Sequence, residues 1–107
     1  MDQSAFETLA DSTLGELMER LEAQLADDDV ELTSGILTIE LTDGRQYVIN
    51  KHGPNRQLWM SSPVSGAWHF AWDSEAGTWR STRGAETLHR LLESELTAIV
   101  GADIALG

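Results

Sequence analysis

The stretch Ile36-Leu37-Thr38-Ile39-Glu40-Leu41-Thr42-Asp43-Gly44-Arg45-Gln46-Tyr47-Val48-Ile49-Asn50 decides the fold. Hydrophobicity alternates with a period of two through Ile36–Leu41, which puts Leu37, Ile39 and Leu41 on one face of a strand. Asp43-Gly44 is a dipeptide that hairpins favour. Gln46–Asn50 then returns antiparallel to the first run.

Working outward, Val30–Thr33 is a shorter strand candidate on the N-terminal side. On the other side Gly53-Pro54-Asn55 breaks the chain. Three more short strands follow at Leu58–Ser61, Trp68–Trp72 and Thr78–Ser81, separated by turns at Pro63–Gly66 and Asp73–Gly77. Helical periodicity flanks this block. Ser4 with Glu7 reads as a capping box, and Phe6, Leu9, Ala10, Leu14, Leu17, Leu21 and Leu25 make one apolar stripe, giving a helix over about residues 4–26. A second helix is expected from about Ala85 to Val100, with Leu88, Leu91, Leu92, Leu96 and Ile99 facing the core and Gly101 ending it. Ile104 and Leu106 are placed to tuck between the helices. The expected architecture is α+β, a two-layer sandwich with two helices packed on one face of a five- to six-stranded antiparallel sheet. Residues 1–107 suit one domain.

Charge is distributed unevenly. The net charge is −11. Residues 1–31 contain ten acids against the single base Arg20, whereas residues 32–107 contain eight acids and six bases. Such an end repels a phosphate backbone and attracts cations and basic protein surfaces, so nucleic acid is not an expected partner. On a helical wheel Glu7, Asp11 and Glu22 fall beside the apolar stripe, Glu19 lies further round and Glu16 near the opposite edge. Asp27, Asp28 and Asp29 follow in the loop, and Glu31 on the first strand. Acids on the outer face of an amphipathic helix are commonly just a solvated surface. Ten to one is lopsided, however, and forgoes the i,i+4 pairs that helix faces gain from mixed signs. A cation relieves the repulsion, and hard cations take oxygen ligands. An open ridge predicts weak, multi-site and poorly selective binding.

Other chemistry is largely ruled out by composition. With no cysteine there are no disulfides, thiolate metal sites or cysteine nucleophiles. No apolar run approaches the ~18–20 residues of a membrane span. The N-terminus lacks the marks of a signal or transit peptide. His52, His69 and His89 show no ligand spacing and read as ordinary surface residues. Trp59, Trp68, Trp72 and Trp79 read mainly as core. Strand alternation separates Trp68, Phe70 and Trp72 from His69 and Ala71, so a tryptophan on the sheet's open face is available as an interface anchor.

The block Tyr47-Val48-Ile49-Asn50-Lys51-His52-Gly53-Pro54-Asn55-Arg56-Gln57-Leu58-Trp59-Met60-Ser61-Ser62-Pro63 resembles the signature stretch of frataxins. Ser65-Gly66, Trp72, Gly35–Thr38 and Leu88–Leu96 extend the likeness, which covers nearly the whole chain. The resemblance implies the same sandwich. It also implies weak binding of ferrous and ferric iron by Glu7, Asp11, Glu16, Glu19, Glu22, Asp27, Asp28, Asp29 and Glu31. The expected partners are a cysteine desulfurase and the scaffold protein on which iron–sulfur clusters are built. Asn50, Asn55, Gln57, Trp59 and His69 are the implied contacts. His69 stands where mitochondrial members carry arginine, and the chain looks like a bacterial cytosolic member close to the mitochondrial branch; a trimmed mitochondrial matrix protein would read the same. Regulation or iron supply by a monomer is the implied role. The alternative is a ferroxidase and iron store acting in metal-driven oligomers, for which no Glu-x-x-His di-iron motif is visible.

Overall fold

The computed structural model describes residues 1–107. The elements are α1 (Gln3–Gln24), β1 (Asp29–Thr33), β2 (Ile36–Glu40), β3 (Gln46–His52), β4 (Gln57–Ser62), β5 (Gly66–Asp73), β6 (Thr78–Ser81) and α2 (Leu88–Val100). The six strands form one antiparallel sheet in sequential order, β1-β2-β3-β4-β5-β6. Both helices cover the same face, and the expected α+β sandwich is the one observed.

Alternation sets which side chains turn inward. Leu37 and Ile39 of β2, Tyr47 and Ile49 of β3, Leu58 and Met60 of β4, Phe70 of β5 and Trp79 of β6 are buried beneath the helices. Phe6, Ala10, Leu14, Leu17 and Leu21 of α1 and Leu88, Leu91, Leu92 and Leu96 of α2 meet them in one cluster. Trp79 of the edge strand is the largest fully buried side chain of the cluster. Its indole nitrogen donates to Thr13 Oγ1 at 3.0 Å. Its ring packs edge-on against Phe6 and Trp72 at centroid separations of 6.2 and 5.4 Å. Ile104 and Leu106 are buried as expected. Gln24 holds them there by exchanging two 2.8 Å hydrogen bonds with the backbone of Ala105.

Two helix starts differ from expectation. The cap of α1 is Asp2, whose Oδ1 accepts from Ala5 N at 2.7 Å. Ser4 is already inside the helix and Glu7 does not reach back. Asp2 is as good a cap as serine, and the Glu7 carboxylate is taken by a lysine on the sheet. In α2 the cap is Thr87, so Ala85 and Glu86 precede the helix. At its far end Gly101 adopts φ 78°, the left-handed cap that glycine accepts without strain.

Candidate acidic edge and aromatic face

The acids do not form one continuous ridge; the sheet divides them. Lys51 is the cause. It shares the inward parity of Tyr47 and Ile49, but it lies near the end of β3 (Gln46–His52), where α1 no longer covers it fully. Its stem crosses Gly35, where an added Cβ would come within 2.6 Å of Lys51 Cε. Its ammonium reaches Glu7 Oε2 at 2.5 Å and Asp11 Oδ1 at 3.0 Å. The hydrogen bond from Lys51 holds the Glu7 carboxyl below the usual range. The same contact, then the one to Asp11, raises Lys51. The one lysine is shared by both acids and so offsets one of their two negative charges.

Further along, compensation stops. Glu19 and Glu22 on α1, Asp27 in the loop, and Asp29 and Glu31 on β1 are exposed. The ion pairs of the molecule are Arg45–Asp43, Lys51–Glu7, Lys51–Asp11 and Arg80–Asp73, and none of them reaches these five. Strand register adds a member that the sequence reading omitted. Asp29 lies directly opposite Glu40 and Glu31 opposite Thr38, so Asp29, Glu31, Thr38 and Glu40 line one recess of about 110 Å³ on the outer face. Like charges directly opposite each other weaken a strand pair. Period-two alternation through the Ser34-Gly35 hairpin would have revealed Glu40.

The remaining two acids fall elsewhere. Asp28 accepts from Thr42 N at 2.9 Å and so braces the loop. Glu16 sits on the opposite flank of α1, where with His89 and Glu93 of α2 it lines a cleft of about 660 Å³. No three histidine or acidic side chains of the molecule converge on a common point. As hard oxygen donors the edge carboxylates suit iron chemically, but they form an open array and not a closed cage.

His89 is not the surface residue expected. Burial lowers its pKa, partly opposed by the Glu93 and Glu16 carboxylates, with Arg20 assisting the depression. The unfolded chain therefore takes up a proton at this position more readily than the folded one. Stability from this group is present above the ordinary histidine value of about 6.5 and is lost as pH falls below it. His89→Gln is expected to flatten the fall of Tm between about pH 7 and 5.5; an unchanged slope would contradict this assignment.

The outer face of the sheet collects most of the second set of residues. Registers run Ile36–Asn50, Asn50–Trp59 and Trp59–His69 across four strands. Trp59 is sandwiched between two imidazoles: His52 at 3.6 Å and His69 at 4.1 Å, both within 8° of parallel. Its indole nitrogen donates to Gln57 Oε1 at 2.8 Å. Asn50, Gln57, Trp59 and His69 are thus gathered on one face. Asn55 is in the exposed turn beyond β3, between Gly53 and Arg56. His52 completes the stack although the sequence reading passed over it. It shares the parity of Asn50, which is the signal that places it there. Ile36, 44% exposed, extends the apolar part of the face. As expected, Trp79 is core, and Trp68 and Trp72 pack partly buried against it.

These features describe an α+β sandwich protein with an uncompensated acidic edge and an aromatic outer face. A family model described as the frataxin-like domain matches residues 1–102. The chain is 40% identical over 111 residues to the mitochondrial frataxin of Arabidopsis thaliana, covering 99% of this chain and 59% of that protein. It is 34% identical to the iron-sulfur cluster assembly protein CyaY of Thioalkalivibrio sulfidiphilus, covering 99% of this chain and 100% of that one. Among solved structures, trimeric frataxin from the yeast Saccharomyces cerevisiae with its full-length N-terminus superposes with a TM-score of 0.77 at 37% identity, covering 86% and 78% of the two chains. The same yeast trimer complexed with ferrous iron gives 0.70 at 34%, covering 94% and 88%. This chain belongs to the frataxin family. It spans about three fifths of the length of the Arabidopsis relative and nearly all of the CyaY proteins. No helix is long and apolar enough to cross a membrane.

Proposed function

We propose that the protein serves iron–sulfur cluster assembly as an iron-binding regulator or donor. Iron, as cargo, is held weakly by Glu19, Glu22, Asp27, Asp29 and Glu31 with Glu40, and less by Glu7, Asp11, Glu16 and Asp28, which are committed or set apart. The observation that carries this reading is the run of exposed carboxylates left without a single basic partner. Relatives named for iron–sulfur cluster assembly, and one solved with ferrous iron, support it.

Docking follows from the same two surfaces. The acidic edge meets a basic groove on the cysteine desulfurase, and the Asn50–Gln57–Trp59–His69 face meets the scaffold protein, with Asn55 at its rim. Bound iron neutralises the edge and so weakens the first contact while leaving the second intact. Trp59 is the anchor, because a large flat ring already held by two imidazoles loses little freedom on binding. Trp59→Ala is expected to weaken binding to a purified desulfurase–scaffold complex by about 30-fold or more, the size of a hot spot. Unchanged affinity in a variant that melts normally would sink the docking assignment.

A further inference from the structure

The chain has a second polar site at the opposite edge of the outer face, built where β6 (Thr78–Ser81) ends early. Strand β5 begins at Gly66, but β6 pairs with it only from Phe70 onward. The segment after Ser81 therefore covers the open β5 edge. Thr82 N donates to His69 O at 2.9 Å. Arg83 N donates to Ser81 Oγ at 3.1 Å, and Arg83 Nη2 donates to Ala67 O at 3.0 Å. The Arg83 guanidinium lies 5.8 Å from the centroid of the Trp68 ring.

These contacts fix the donors without using them up. Arg83 forms no ion pair, and Glu86, the carboxylate of the same loop, does not reach it. The rest of its guanidinium N–H groups, the Thr82 hydroxyl and the His69 ring nitrogens have no protein hydrogen-bond partner. His69 is held in place by stacking on Trp59. Ala67, His69, Thr82 and Arg83 line one recess of about 190 Å³. Guanidinium donors anchored at the strand edge on Ala67 O, with a hydroxyl and an imidazole lining the same recess, suit a carboxylate or phosphate.

We propose that the recess formed by His69, Thr82 and Arg83 is an oxyanion-binding site for a carboxylate or phosphate group. It is independent of the iron reading, since it uses none of the acidic residues. The test is an amide NMR titration of the labelled protein with inorganic phosphate and, separately, with malonate, ionic strength being held constant with chloride. Saturable shifts at Ala67, His69, Thr82, Arg83 and the Trp68 indole N–H are expected, and the anion that produces them defines the ligand chemistry. Arg83→Gln is expected to weaken binding about tenfold or more, whereas Arg56→Gln, an exposed turn arginine, leaves it unchanged. Arg83→Lys keeps the charge and loses the fork, so it falls between. Thr82→Val tests the site without disturbing the Trp68 contact and is expected to weaken binding severalfold. No saturable shift with either anion, or equal shifts in wild type and both the Arg83→Gln and Thr82→Val proteins, would overturn the proposal.

Discussion

Trp79→Ala is expected to destabilise the protein by about 3–5 kcal/mol, the range for deleting a large aromatic from a packed core. Trp79 is 1% exposed, and its ring contacts α1 through Phe6 and the sheet through Trp72. Removing it opens a cavity where the two layers meet. It also takes the hydrogen bond from Thr13 Oγ1, which is buried and donates its own proton to Leu9 O at 2.8 Å. Marginally stable domains hold only about 5–15 kcal/mol in total, so a large share of the fold's stability rests on this side chain. Urea unfolding followed by far-UV circular dichroism measures the loss. A change below about 1 kcal/mol would mean that the layers are not joined through Trp79.

Neutralising the acidic edge is expected to have the opposite effect on stability and the largest effect on iron. The variant E19Q/E22Q/D27N/D29N/E31Q/E40Q removes six uncompensated charges and keeps their shape. Asp28 is spared because it braces Thr42, and Glu7 and Asp11 because Lys51 needs them. Each like-charge neighbour costs a few tenths of a kcal/mol at low salt. Six together amount to roughly 1–2 kcal/mol, or a rise in Tm on the order of 5–10 °C. Wild type should gain much of the same rise from added salt or divalent cation, since both screen the edge. In the variant that salt dependence disappears and ferrous affinity falls more than about tenfold. A wild-type melting temperature flat from low to moderate salt would refute the electrostatic account of the edge.

The strands were legible because alternation is a short-range property. Leu37, Ile39 and Leu41, then Tyr47 and Ile49, are alternate apolar residues that all turn inward, the pattern lapsing only at Asp43 and Arg45 of the turn. Where alternation was followed across a turn it would have told more. Glu40 faces Asp29, and His52 follows Asn50, yet neither was placed with its neighbours. Lys51 illustrates what a single sequence hides. Its pairing with Glu7 and Asp11 joins residues 44 and 40 positions apart, and it depends on Gly35 leaving room for the lysine stem. The same long-range contact misdirected the helix start, because it took the carboxylate that a capping box would have used. Glu16 was separable by the wheel, which put it on the far edge of the helix; only the packing of α2 showed that His89 and Glu93 wait there. His89 looked ordinary because burial is not written in its flanking residues.

The central claim is that iron binds along the acidic edge. The most direct measurement is an anaerobic ferrous titration of isotopically labelled protein, followed by amide NMR. The account predicts paramagnetic broadening centred on Glu19–Glu31 and around Glu40, weaker broadening near Glu7 and Asp11, where Lys51 already supplies the positive charge, and sharp signals at Trp59 and Trp79. Uniform broadening over the whole molecule, or none at several equivalents of iron, would contradict it and leave the edge as a protein-docking surface alone.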